Sequence, residues 1–175
     1  MGGRGPTTTA RPLHTDSNPN SLIELAQDFQ DLLIELADAE ADFAVVGGYA
    51  VAYHGYVRAT KDLDVLVRAN PDNASRVYQA LAEFGAPLQN FDVTADDFSD
   101  YSGVLQIGLP PRRIDIINKA SGITFDEALT EGSWFELEGR RIPVIGLQAL
   151  LKNKQAVGRD QDLVDVKALS GPTSE

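Results

Sequence analysis

The stretch from Phe43 to Arg68, FAVVGGYAVAYHGYVRATKDLDVLVR, constrains this chain more than any other. Its first four residues are apolar and read as a short buried strand that breaks at Gly47-Gly48. Tyr49 to His54 reads as a short helix stopped by Gly55. Leu63 to Val67 reads as a second strand, with Asp62-Leu63-Asp64 at its start. Strand side chains alternate, so both carboxylates project to one side while Leu63 and Val65 project to the other. Two like charges this close repel, and a divalent cation between them relieves the repulsion. A glycine pair lets a phosphate approach the backbone. Together they point to a site for a metal-bound nucleoside triphosphate. Taken singly, each part has a plainer reading: an acidic strand face, a tight turn, and a solvated loop at Arg58 and Lys61.

Composition narrows the chemistry. The 175 residues fit one domain, and 43% are hydrophobic, enough for a core. There is no cysteine, and only two histidines occur, so disulfides and thiolate sites are excluded and a multi-histidine zinc site is disfavoured. A metal would have carboxylate ligands, which suits a hard ion such as Mg2+ or Mn2+. The net charge of −11 argues against a broad nucleic-acid surface, because neutralising phosphates takes clustered Lys and Arg. No apolar run is long enough to span a bilayer, and the N-terminus lacks a signal-peptide core. A soluble cytoplasmic protein with no membrane partner is expected.

Residues 1–20, rich in Gly, Pro, Thr and Asn, predict a disordered tail. A single domain is expected over 21–170, with a disordered end at 171–175. From Ser21, Leu22, Leu25, Phe29, Leu32, Leu33 and Leu36 recur at helical spacing. Asn70-Pro71 signals a helix start, and Gly85 its stop after Phe84. The acidic stretch with Asp92, Asp96, Asp97 and Asp100 reads as a solvated loop. Val104–Leu109 and Arg113–Ile117 predict a hairpin across Pro110-Pro111. Thr124 with Glu127 predicts a capping box. Phe135–Leu137 and Ile142–Ile145 predict a second hairpin. Two helices close the chain, one carrying Leu147, Leu150 and Leu151, the other Leu163, Val166 and Leu169. Strands mixed with helices give an α/β or α+β class, a mixed sheet flanked by helices.

A third carboxylate, Asp115 in RRIDII, sits between core-facing Ile114 and Ile116. It either pairs with Arg112 or Arg113, or completes a three-carboxylate cage if its strand lies beside that of Asp62. Such a cage can hold two metals about 3.5–4 Å apart for in-line displacement at phosphorus. GGYAVAYHGYVRATKDLDVLV resembles the core motif of the nucleotidyltransferase superfamily with the DNA polymerase β-like fold. That motif is a Gly-Gly or Gly-Ser pair, a spacer, Asp-x-Asp, and a later third Asp. With His54-Gly55, Arg58 and Thr60, the form is similar to a minimal bacterial branch that includes abortive-infection and type IV toxin-like members. LLKNKQAVGRDQDLVDVKAL resembles the same branch, through Lys152 or Lys154, Gly158-Arg159 and Asp162-Leu163. The likeness covers about residues 22–170. Gly48 stands where many members have Ser, and Gln161 where many have a basic residue.

The resemblance implies that Asp62, Asp64 and Asp115 bind metal and carry the catalysis. It implies that Gly47 and Gly48 present backbone N–H groups to the triphosphate, while Arg58, Lys152, Lys154 and Arg159 neutralise phosphate. Other roles stay open from the residues alone. Lys152 and Lys154 could be an exposed helix face, Arg159 and Asp162 an i,i+3 pair, His54 a structural group, and Thr60 a brace for the Asp62 strand. Tyr49 and Tyr53 could line a base pocket or pack.

The implied activity moves a nucleoside monophosphate from an NTP, such as ATP, to a hydroxyl on a protein, a tRNA or a small molecule. Pyrophosphate is released, and toxin–antitoxin or abortive-infection roles are implied. A tRNA acceptor would require Arg112, Arg113, Arg140 and Arg141 to gather into one patch. Antibiotic modification is disfavoured by the lack of a large acceptor domain. The alternative is a nucleotide-binding regulatory protein of the same fold, working with a partner protein.

Overall fold

The computed structural model describes residues 11–15, 18–100 and 103–171. Strands β1 (Arg11–Thr15) and β2 (Asn18–Leu25) pair antiparallel as a separate two-stranded sheet. Helix α1 (Gln27–Asp38) leads to β3 (Phe43–Val46), α2 (Gly47–Tyr53), β4 (Asp62–Val67) and α3 (Pro71–Phe84). Two 3-10 turns, Leu88–Phe91 and Ala95–Phe98, precede β5 (Val104–Ile107) and β6 (Arg113–Ile117). Then come α4 (Phe125–Leu129), β7 (Ser133–Leu137), β8 (Arg140–Val144), α5 (Leu147–Val157) and α6 (Asp160–Leu169).

The six strands β3–β8 form one mixed sheet in the order β5-β6-β4-β3-β8-β7. The fold class is the one expected, a mixed sheet flanked by helices and closed by two C-terminal helices. Both anticipated hairpins are present: β5 pairs antiparallel with β6, and β7 with β8. The pairing that matters for the site joins β4 to β6 in parallel.

Local signals set the boundaries of α3 and α4. The Asn70 side chain accepts from the Asn73 N–H at 2.8 Å, Pro71 occupies the first turn, and Gly85 ends α3 at φ 87°. At α4 the Thr124 N–H donates to the Glu127 carboxylate at 2.8 Å, and the Glu127 N–H returns to Thr124 Oγ1 at 3.1 Å. The acids of this stretch are exposed, as expected, but it is more ordered than a plain loop: Asp96 and Asp97 sit in the second 3-10 turn, and buried Leu88 and Phe98 pin the segment.

Three expectations need correction. Residues 11–15 and 18–20 are strand, not tail; residues 1–10, 16–17 and 172–175 lie outside the described residues. Helix α1 begins at Gln27 rather than Ser21, because β2 extends to Leu25 and Ala26 keeps an extended conformation at ψ 151°. Leu25 therefore enters the core from a strand end, 1% exposed. Helix α6 also departs from the expected pattern. Leu163 is 51% exposed, while Asp162 and Asp165 are buried at 2% and 0%. The helix turns its acids inward because cations from α5 and the α2–β4 loop meet them there.

One face of the sheet is apolar: Val45, Leu63 and Val144 pack beneath Leu33 of α1 and Tyr49 and Tyr53 of α2. Burial of these side chains, at about 1.5–3 kcal/mol each, fixes the registers of β3 and β4. Alternation then forces Asp62 and Asp64 onto the opposite face.

Candidate active site

Register brings the three predicted carboxylates to one place. Asp64 lies directly across from Asp115 on parallel β4 and β6, and Asp62 lies across from Arg113. All four share a face, with strands about 4.8 Å apart. Val46, the last residue of β3, pairs with Asp64, so the glycine turn begins beside that carboxylate.

Both glycines are required by contact. Gly47 has φ +64°, and a Cβ there would sit 2.0 Å from Asp64 Oδ2. At Gly48 a Cβ would lie 2.4 Å from Thr60 Oγ1. Thr60 thus fills the volume a serine side chain would take, which is a local reason for glycine at position 48. The Thr60 hydroxyl also reaches the Asp62 carbonyl at 3.5 Å, the bracing position the sequence suggested.

Charge at the cluster is uneven. Burial, then repulsion from Asp115 and Asp62, pushes the Asp64 carboxyl up to about 6; the positive charges of Lys154 and Arg159 partly offset this. Burial also raises Asp115, against the pull of Arg113. Arg113 Nη2 donates to Asp62 Oδ2 at 3.1 Å and to Asp115 Oδ2 at 3.4 Å. Its Nε stands 3.0 Å from Asp115 Oδ1, but at an angle that makes no hydrogen bond, and both atoms are buried without another partner. Asp64 has no ion-pair partner among the described residues.

The predicted phosphate cations are otherwise engaged. Arg58 makes a bidentate pair with Asp165 at 2.7 and 2.8 Å. Lys154 is buried between Asp162 (2.9 Å) and Asp165 (2.8 Å). Arg159 Nε donates to Asp162 Oδ2 at 2.7 Å, the anticipated i,i+3 pair, while its side chain stays 76% exposed. Gln161 joins the same network, its Nε2 donating to Asp165 Oδ1 at 3.0 Å. Burial would raise the Asp165 carboxyl, but the hydrogen bonds from Arg58, Lys154 and Gln161 and the Lys154 charge hold it down at about 2. Lys152 pairs with Glu127 of α4 at 3.0 Å, outside the carboxylate cluster. His54 Nε2–H donates to the Ile145 carbonyl at 2.7 Å and joins α2 to the end of β8. Its basicity is lowered by burial.

Sequence reasoning named Asp162 as a surface partner of Arg159 but missed its burial, and missed Asp165 and the bridging role of Arg113. A signal for Asp162 and Asp165 was present: two acids at i,i+3 facing Lys154 and Arg58 across a helix whose apolar stripe is weak. Arg113 appeared only as a pairing option for Asp115, and the parallel register that also gives it Asp62 is a tertiary fact.

The donor set suits a hard divalent cation. It is all oxygen, Asp115 Oδ1 is an orphaned buried atom, and the bare Gly47 Cα leaves room at Asp64. As the side chains stand, among the described residues no three carboxylate or imidazole groups are gathered closely enough to enclose an ion. The guanidinium of Arg113 lies between two of them.

Two other features bear on substrate. A cavity of about 520 Å3 lies away from the carboxylates; Leu66, Arg68, Asn118, Lys119 and Phe125 line it at the far ends of β4 and β6. Arg112 and Arg113 precede or open β6, while Arg140 and Arg141 open β8. These strands run in opposite directions, so the two pairs lie at opposite ends of the sheet and form no single basic patch. No helix among the described residues is long and apolar enough to cross a membrane.

No family model matches the chain, and no curated protein matches it in sequence. Solved structures do match in fold. The lincosamide antibiotic adenylyltransferase LnuA, solved with lincomycin bound, superposes with a TM-score of 0.54 at 16% identity, over 84% of this chain and 97% of that one. A Thermotoga maritima protein assigned to the nucleotidyltransferases gives 0.52 at 14%, over 80% and 88%. The antibiotic-resistance factor ANT(2'')-Ia gives 0.51 at 11%, over 82% and 80%. With the sheet order, the glycine turn and the paired strands already described, these likenesses establish that the chain has the nucleotidyltransferase fold.

Proposed function

We propose that this protein transfers a nucleoside monophosphate from a nucleoside triphosphate to a hydroxyl acceptor, releasing pyrophosphate, with Mg2+ or Mn2+ as cofactor. The observation that carries this reading is the Asp64–Asp115 register, with Asp62 on the same face and the Gly47-Gly48 turn against Asp64. Asp62, Asp64 and Asp115 would hold the metal. When bound, it would neutralise phosphate charge and acidify the acceptor hydroxyl. Asp115 is the group to orient that hydroxyl and take its proton, being a carboxylate whose burial raises its proton affinity. Gly47 and Gly48 leave the triphosphate an approach to bare backbone. Arg159, largely exposed and electrostatically coupled to Asp64, is the best-placed cation for the leaving pyrophosphate. Arg58 and Lys154 act behind it, holding α6 in place. Lys152 has no part in this arrangement.

For the acceptor, the divided arginines and the charge of −11 weigh against a long RNA surface and favour a small molecule or a protein side chain. The size argument against a small antibiotic-like acceptor lapses, because 97% of the LnuA chain is matched by 84% of this one. A toxin–antitoxin or abortive-infection role is the branch of this reading in which the acceptor is a cellular protein or tRNA. The second reading, a nucleotide-binding partner without turnover, draws its support from Arg113, which spans two of the three carboxylates.

Incubation with each α-labelled NTP, Mg2+ or Mn2+ and cell extract tests the proposal. Label is expected in protein or small molecules and lost in Asp64→Asn. If no NTP labels any acceptor, and Asp62→Ala/Asp64→Ala binds NTP as well as wild type, the enzyme reading fails.

A further inference from the structure

Arg113 does what no metal-binding carboxylate cluster needs once it is loaded. It stands on the same strand face as Asp115, two residues away, and directly across from Asp62. Its guanidinium touches both acids, at 3.1 Å and at 3.0–3.4 Å. A guanidinium and a divalent cation would compete for the same carboxylate lone pairs, and the two cations repel. The fit of the arginine is also imperfect. Nε and Asp115 Oδ1 approach without a hydrogen bond, and among the described residues Asp64 has no direct ion-pair partner, only the more distant charges of Lys154 and Arg159.

We propose that Arg113 is the resident counter-ion of the metal-free site, spanning Asp62 and Asp115 until a divalent cation displaces it. The inference rests on the nucleotidyltransferase reading and adds a positioning role for a residue outside the predicted set. The bridge offsets repulsion among acids that must be close for function, and keeps β4 and β6 in register while no metal is bound. Its cost is weaker metal binding, since each loading event must break two ion contacts. Arg113 therefore sets the cation concentration at which the site assembles. Metal arriving with a triphosphate, which supplies further oxygen ligands, displaces the arginine more readily than metal alone.

Two measurements test this on the full-length protein. The first is Mn2+ binding, followed by electron paramagnetic resonance of free MnCl2, in wild type, Arg113→Gln and Arg113→Lys. Arg113→Gln is expected to bind at least tenfold more tightly than wild type, because a positive charge beside the ion has been removed. Arg113→Lys should fall between them, since one ammonium cannot span both acids as a planar fork does. The second is the 15N side-chain spectrum of wild-type arginines during a Mg2+ titration, with the Arg113 signal identified by its loss in Arg113→Lys. That signal should move from an ion-paired to a free, fast-exchanging position, and should do so at lower Mg2+ when a non-hydrolysable ATP analogue is present. This readout needs no destabilised variant for its central result. Equal or weaker Mn2+ affinity in Arg113→Gln, or an unmoved Arg113 signal in a protein that binds Mg2+, overturns the inference and leaves the enzyme reading intact. Absence of divalent-cation binding in both wild type and Arg113→Gln overturns the inference and the nucleotidyltransferase reading together.

Discussion

Gly47→Ala separates a geometric claim from a general loss of stability. The new Cβ would lie 2.0 Å from Asp64 Oδ2, where ordinary contact begins near 3.4 Å, so the carboxylate must retreat by about 1.4 Å. Gly47 also has φ +64°, which costs an L-residue about 1–2 kcal/mol. That backbone cost alone lowers the melting temperature by about 2–8 °C in a protein of this size. Gly85→Ala is the control. Its φ is +87°, nothing lies within 4 Å of the added Cβ, and it caps α3 away from the site. Both variants should melt a few degrees early by circular dichroism. Only Gly47→Ala should lose nucleotidyl transfer, by about 100-fold or more, the usual result of displacing a reacting group by an ångström. Mn2+ affinity should fall with it. If Gly47→Ala retains wild-type turnover, or Gly85→Ala loses as much, the position of Asp64 is not what governs the chemistry.

Three other outcomes follow from the same geometry. Asp165→Asn strips Arg58 and Lys154 of a shared buried partner; breaking such a pair costs about 3–5 kcal/mol, read as a drop of roughly 10 °C in thermal unfolding. In the wild type, Asp165 titrates near 2 when folded and near 3.8 when unfolded. Its contribution of about 2 kcal/mol is therefore present above pH 4 and lost as pH falls from 4 towards 2; urea unfolding across that range should show the slope, and Asp165→Asn should lack it. Asp64 has the opposite sign. Its folded value of about 6 exceeds the unfolded 3.8, so metal-free protein should lose up to about 3 kcal/mol as pH rises from 4 through 6, and Asp64→Asn should flatten that loss. Gly48→Ser should destabilise by colliding with Thr60, and Thr60→Ala in the same chain should recover part of the loss by removing the 2.4 Å contact with Oγ1, while the Cβ of residue 60 stays 2.9 Å away; additive effects in the double variant would contradict the contact.

The parts of the fold that were legible in the sequence are those written in local chemistry. Asn70, Pro71 and Gly85 bound α3, Thr124 and Glu127 start α4, and the two glycines end β3, because capping and turn geometry depend on residues a few positions apart. The start of α1 was misplaced because Leu22 and Leu25 keep helical spacing, while the hairpin with β1 is a pairing that periodicity does not encode. At the site, the alternation of Asp62 and Asp64 was readable, but their meeting with Asp115 depends on β4 lying parallel to β6, a choice made by the whole sheet. The phosphate roles given to Lys154 and Arg58 failed to anticipate Asp165, because an acid on a helix reads as solvated until its burial is known. The same inversion explains why Leu163 was expected inside and lies outside.

Asp62, Asp64 and Asp115 are proposed to act together as one metal-nucleotide site. The most direct measurement is anomalous diffraction from crystals grown with Mn2+ and a non-hydrolysable ATP analogue. Anomalous density is expected bounded by oxygens of all three aspartates and the triphosphate, beside Gly47, with Arg113 withdrawn from Asp62. Density at other acids, or a nucleotide bound away from the β4–β6 carboxylates, would contradict it.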